Sequence, residues 1–95
     1  MASGKKFFNT AGTVVDDALE GFVRSHAALA LLPAYRVVCT VDAPDVKNHR
    51  VAVISGGGSG HEPAFVGYVG SGMLTAAVAG NVFASPSAAQ VTLIL

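Results

Sequence analysis

Residues 50–63 read Arg-Val-Ala-Val-Ile-Ser-Gly-Gly-Gly-Ser-Gly-His-Glu-Pro, and this stretch limits what the chain can fold into more than any other. Val51 to Ile54 is a short unbroken apolar run, the pattern of a strand covered on both faces. Three glycines in a row follow, and without a Cβ their backbone N–H groups can face a ligand directly. Pro63 suits the first position of a helix, where its missing N–H costs nothing. A strand, a glycine loop and a helix start in that order predict a corner at the carboxyl end of a strand, where open α/β sheets bind ligands. His61 and Glu62 stand in that corner.

The flanking chain supports an α/β class. Val14, Val15, Ala18, Leu19, Phe22 and Val23 form one stripe of 3.6-residue period and predict a helix over 13–27. Thr13 to Asp16 loosely matches a capping box, and Asp16, Asp17, Arg24 and His26 suit the dipole at the two ends. Pro33 disfavours helix beyond residue 32. Tyr35 to Val41 is rich in β-branched and aromatic residues and predicts a strand. Asp42 to Asp45 predicts a turn around Pro44, followed by a polar connector from Lys47 to Arg50. After the loop, the pattern predicts a short helix over 63–69 ended by Gly70 and Gly72, then a strand over 75–79. Ser85 and Pro86 predict a helix start, with Ser85 as the N-cap. Residues 88–95 read as helix or as an unfinished strand.

Alternating strands and helices predict a mixed or parallel sheet with helices on it. Three short strands make a thin sheet, and the apolar ending Val91 to Leu95 has no cap. The expectation is the leading portion of a larger, truncated domain. The chain is 52% hydrophobic and 13% charged, against about a quarter charged in ordinary domains. Such a surface predicts cover by a homo-oligomer or by the remainder of a parent domain.

Several classes are excluded on composition. Six basic residues balance six acidic ones, and no basic face of the kind that binds nucleic acid is present. Cys39 is the single cysteine, so there is no internal disulfide and no paired-cysteine metal site; it reads as a small buried hydrophobe. No apolar run of about 18 residues predicts a membrane span. The amino terminus lacks the apolar core of a secretory signal, which makes the cytoplasm the expected compartment. His26 and His49 are expected on the surface.

The loop fails the common motif tests. A P-loop needs Lys-Ser or Lys-Thr after its last glycine, where this chain has His61-Glu62. The dinucleotide fingerprint and the nucleophile elbow both require a glycine where His61 stands. Zincin spacing has only its first half, since Phe65 occupies the second histidine position. What remains is a backbone cradle with one imidazole, able to act as general acid or base near neutral pH. At a helix start its neutral form would be favoured. Glu62 either orients His61 or caps a free N–H, and Ser59 either donates to a ligand or serves the turn. A general anion site at the helix start is a further option.

Ser55-Gly-Gly-Gly-Ser-Gly-His-Glu-Pro63, then Gly67-Tyr68, Gly70-Ser-Gly72-Met73-Leu74 and Ala79-Gly80-Asn-Val82-Phe83-Ala84-Ser85-Pro86, resemble the amino-terminal part of the dihydroxyacetone kinase family. The resemblance spans nearly the whole chain. It implies an α/β substrate domain that binds a small triose and phosphorylates it, within a parent kinase, to dihydroxyacetone phosphate. It implies substrate contacts at Gly58, Ser59, Gly60 and His61, proton transfer at His61, and a pocket position for Ser85. It also implies a covalently bonding histidine, a lysine and an aspartate, none of which this chain contains. ATP and magnesium are implied as well, bound outside this chain, although a phosphorylated carrier protein is the donor in part of the family. The alternative is a binding or interaction module without complete catalytic machinery.

Overall fold

The computed structural model describes residues 4, 5, 7–43 and 49–94. The expected turn at Pro44 and Asp45, and Lys47 in the connector, lie outside them. The first helix, α1, spans Val14–Arg24 and turns Val15 and Leu19 inward while Asp16, Asp17, Glu20 and Arg24 stay exposed. The expected capping box at its start is not made. Thr13 instead donates its hydroxyl to Asp17 (3.0 Å) and its N–H to the Thr10 hydroxyl (3.2 Å). The helix stops before residue 27 because its last carbonyls find other partners: the Ser25 N–H lies 3.2 Å from the carbonyls of Gly21 and Phe22. The His26 ring places Nδ1 2.7 Å from the Phe22 carbonyl and stacks on the Phe22 ring at 4.4 Å.

Leu29–Leu32 then forms β1, a strand that sequence periodicity does not reveal. A 3-10 turn over Pro33–Tyr35 leads to β2, Val37–Thr40, which is shorter than the predicted 35–41 strand. Arg36 closes this connection in the left-handed region (φ 55°), and β1 pairs antiparallel with β2 from Leu29↔Thr40 to Leu32↔Val37.

The next strand corrects the sequence expectation. The predicted strand over Val51–Ile54 is displaced: Val51 is 88% exposed, and the strand, β3, spans Ile54–Ser59. The glycine triplet is therefore strand rather than loop. It runs parallel to β4, Ala76–Val82, with Ile54↔Ala76, Gly56↔Val78 and Gly57↔Ala79 in register. The predicted helix over 63–69 is absent as well. Residues 62–65 are turns, followed by a single 3-10 turn at Val66–Tyr68. The turns are tight at Gly67, whose N–H reaches the Pro63 carbonyl at 2.7 Å and where a Cβ would lie 2.6 Å from Pro63 Cβ.

The final helix, α2, spans Ala88–Leu93. Its N-cap is Ser87 and not Ser85, because Ser87 has Gln90 three residues on. The Ser87 hydroxyl accepts the Gln90 N–H (3.2 Å) while the Gln90 side chain accepts the Ser87 N–H (2.8 Å).

The four strands lie in the order β1-β2-β4-β3, with the β3–β4 pair parallel and the others antiparallel. This is the mixed α/β sheet expected, with one more strand. Alternation along the central strands feeds two cores. Val38, Ala77 and Ala79 pack with Val15 and Leu19 of α1 on one face, joined by Val66 and Val69. Val37, Ala76 and Val78 pack with Ile94 on the other, beside Cys39 and Ile54. Cys39 is half-buried, and its desolvation raises the thiol above its ordinary pKa. Among the described residues no helix is long and apolar enough to cross a membrane.

Candidate functional site

The parallel pair β3–β4 ends at Ser59 and Val82, and the candidate residues gather beyond those ends. Glycine is required here by close approach of backbone. A Cβ on Gly58 would lie 2.7 Å from the Ala84 nitrogen and 3.0 Å from Cα of Phe83. A Cβ on Gly80 would overlap the Ala84 carbonyl and come within 2.8 Å of the Ser85 carbonyl carbon. Segment 83–86 therefore lies flat across the two strand ends. Its turn is held by the Ala84 N–H on the Asn81 carbonyl (3.1 Å) and the Phe83 N–H on the Ser59 carbonyl (2.8 Å).

Ser59 is buried, and its hydroxyl donates to the Gly80 carbonyl at 2.9 Å. This bond locks β3 to β4 at the corner. Gly60 follows with φ +109°, a conformation that side chains other than glycine rarely adopt. Its N–H points at the Glu62 carboxylate, at 3.2 and 3.3 Å from the two oxygens. Of the two roles open to Glu62 from sequence, the structure thus has it capping a backbone N–H.

His61 is exposed at the tip of the corner. The Phe65 ring meets it edge-on at 6.1 Å, and the Phe83 ring is tilted against it at 5.9 Å. Among the described residues neither ring nitrogen has a protein hydrogen-bond partner. The imidazole is thus walled laterally by two apolar rings with its polar atoms open. Because no α-helix follows, the helix-dipole argument for its neutral form and for an anion site loses its basis. Phe83 is a part of this site that motif reasoning did not identify as a side-chain wall. Its signal is local: it is a non-glycine residue with φ 51°, and such residues invite functional scrutiny.

Gly58, Ser59, Gly60 and His61 are brought together by chain continuity. Ser85 reaches the same strand ends by its backbone, yet it lines a different concavity. That polar cleft of about 560 Å³ also holds Asp16, Arg36, Asn81 and Gln90. A smaller one of about 130 Å³, beside Ser59, Gly60 and Glu62, is bounded by Val14, Val15 and Leu19 of α1. His26 and His49 are exposed, as expected, and His26 lies at the end of α1. Among the described residues no group of three or more His, Cys, Asp or Glu side chains could hold a metal ion. No magnesium site is assigned to this corner, and no chemical step is routed through the ion.

Comparison with known proteins places these features in a lineage. Residues 20–95 match the model of the Dak1 domain. The chain is 52% identical over 84 residues to the triokinase/FMN cyclase of Mus musculus, covering 88% of this chain and 14% of that protein. The crystal structure of the dihydroxyacetone kinase from C. freundii in complex with AMP-PNP and Mg2+ superposes with a TM-score of 0.81 at 49% identity, over 94% of this chain and 17% of that one. A dihydroxyacetone kinase operon co-activator, Dha-DhaQ, superposes with a TM-score of 0.74 at 38% identity, over 84% of this chain and 25% of that one. The chain therefore spans about a seventh to a quarter of the length of these relatives.

Proposed function

The chain belongs to the dihydroxyacetone kinase family through its Dak1 domain, and from that premise we propose that it supplies the triose-holding corner of a kinase converting dihydroxyacetone to dihydroxyacetone phosphate. The observation that carries the proposal is the corner itself. His61 projects beyond the end of a parallel strand pair, between Phe65 and Phe83, with its ring nitrogens open among the described residues. A small keto sugar needs one proton-handling group and close backbone, and Gly58 to Gly60 provide the latter. In this proposal His61 takes or returns a hydroxyl proton of the triose. Gly58, Ser59 and Gly60 line the sugar through their backbone, and Ser85, whose side chain faces the neighbouring cleft, approaches it only through the backbone of the returning segment.

ATP with magnesium is the proposed donor, held by residues outside this chain, and the cytoplasm is the proposed setting. The rest of a parent domain, or a second copy, is proposed to cover exposed apolar residues such as Val51 and Met73.

A second reading is a binding module without transfer chemistry. The match to a co-activator favours it, since this fold also occurs in a protein not named as a kinase. Calorimetry separates the options. Wild type is expected to bind dihydroxyacetone more tightly than glycerol or inorganic phosphate, and His61→Asn to weaken that binding. Phosphate binding without triose binding would sink the proposal. In an intact kinase carrying this segment, His61→Ala is expected to lower kcat by about 10²–10⁴-fold. An unchanged kcat with a raised KM would reduce His61 to positioning.

A further inference from the structure

We propose that Arg36, far from His61 in sequence, is a positioning residue that sets the geometry of the His61 corner through Asn81. Arg36 sits at the tip of the β1–β2 connection, and its side chain is only 22% exposed. The guanidinium donates from Nε to Asp16 Oδ1 at 2.8 Å and from Nη2 to Asp16 Oδ2 at 3.2 Å, a forked contact with α1. Its third arm, Nη1, donates to the Asn81 side-chain carbonyl. Its backbone joins the same assembly, since the Arg36 carbonyl accepts the Ala79 N–H at 2.9 Å. One residue thus ties α1 and the β1–β2 connection to the end of β4.

Asn81 is where this tie becomes functional. It is the first residue of the turn whose Ala84 N–H returns to the Asn81 carbonyl. That turn presents Phe83, 73% exposed and at φ 51°, against the His61 ring. The Phe83 ring lies over Gly60 and is otherwise open to solvent, so its direction depends strongly on the turn that carries it. The turn is held by its own Ala84–Asn81 backbone bond and by the Phe83 N–H on the Ser59 carbonyl, and the Arg36 side chain fixes the Asn81 shoulder from outside the turn.

Arginine is required by geometry. A planar fork can face a carboxylate with two donors while a third points elsewhere; a lysine ammonium on a flexible stem cannot hold both. Asp16 balances its charge, so the cleft beside it is not assigned as an anion site.

The relevance of this tie to substrate rests on the triose reading above, but its first test does not. The probe is the His61 ring Cε1–H resonance in the full 95-residue chain, which senses the ring current of Phe83, with Phe83→Ala as the reference for a missing wall. Arg36→Lys and Asn81→Ala are expected to move that resonance toward the Phe83→Ala value. Asn81→Asp keeps an acceptor for Arg36 and is expected to restore it. Glu20→Gln, which breaks only the exposed Glu20–Arg24 pair, is expected to leave it unmoved. Dihydroxyacetone affinity is expected to fall about tenfold in the first two variants, the scale of a modest misplacement of a binding group. An unmoved His61 resonance in folded Asn81→Ala, where only an exposed side chain is trimmed, would overturn the proposal. A moved resonance in a chain whose wild type binds no triose would leave the positioning role standing and remove the substrate reading.

Discussion

Replacing Gly58 by alanine tests whether close backbone contact builds the corner. The added Cβ would stand 2.7 Å from the Ala84 nitrogen and 3.0 Å from the Phe83 carbonyl carbon and Cα. These separations fall well inside the optimum of roughly 3.5–4.0 Å for non-bonded carbon contacts. All three neighbours are backbone atoms, so no rotamer change relieves the overlap, and segment 83–86 must lift from β3. Overpacking of this kind costs about 1–3 kcal/mol, and a rigid backbone neighbour places it in the upper part of that range. Alanine's own advantage over glycine in regular structure, about 0.5–1 kcal/mol, offsets part of this. A net loss of about 1–2 kcal/mol lowers Tm by roughly 4–16 °C in a domain of this size. Thermal and urea unfolding followed by circular dichroism measure it. Gly21→Ala in exposed α1, where a Cβ meets nothing within 4 Å, is the matched control and is expected to stabilise. A Gly58→Ala chain that unfolds at or above the wild-type temperature would refute the close-approach argument.

Two further outcomes are expected. Ser59→Ala removes the buried hydroxyl that donates to the Gly80 carbonyl, so urea unfolding should show a loss of about 1 kcal/mol. Stability should also depend on Asp16 at low pH. The hydrogen bond from Arg36 holds the Asp16 carboxyl below its ordinary value. Its contribution is therefore present above the unfolded value, near pH 4, and is lost as pH falls through the lower folded value. Asp16 is 52% exposed, and screening by solvent keeps the contribution to about 1 kcal/mol or less. The difference in urea midpoint between wild type and Asp16→Asn, measured from pH 6 downward, should hold until about pH 4 and then close; a gap that widens on acidification would contradict the assignment.

Much of this was legible in the chain, for physical reasons specific to each segment. The stripe from Val14 to Val23 fixes α1 because only a helical period puts Val14, Val15, Leu19, Phe22 and Val23 on one core. Thr75 to Ala79 reads as strand, and Ala76 to Ala79 fall in β4, one of the two interior strands. The position of the corner was also legible, since the residues from Ser55 to Pro63 carry both the geometry and the family resemblance. The glycine triplet reads as loop because sequence records its lack of side chains but not the backbone of segment 83–86 that needs the space. β1 was hidden because Leu29-Ala-Leu-Leu32 has no alternation and adjoins a helix. The helix expected after Pro63 gives way to tight turns that Gly67 permits. The ties of Arg36 to residues 20 and 45 positions away are tertiary, and no local pattern encodes them.

In the proposed function, the carboxyl ends of β3 and β4 form the triose site. A residue-resolved NMR titration of the isotopically labelled chain with dihydroxyacetone addresses it directly. Saturable shifts are expected to concentrate at Gly58, Ser59, Gly60 and His61, with Phe83 and Ser85 following. Saturable shifts centred instead at the opposite end of the sheet, around Thr40, Met73 and Thr75, or no saturable shift at all, would contradict it.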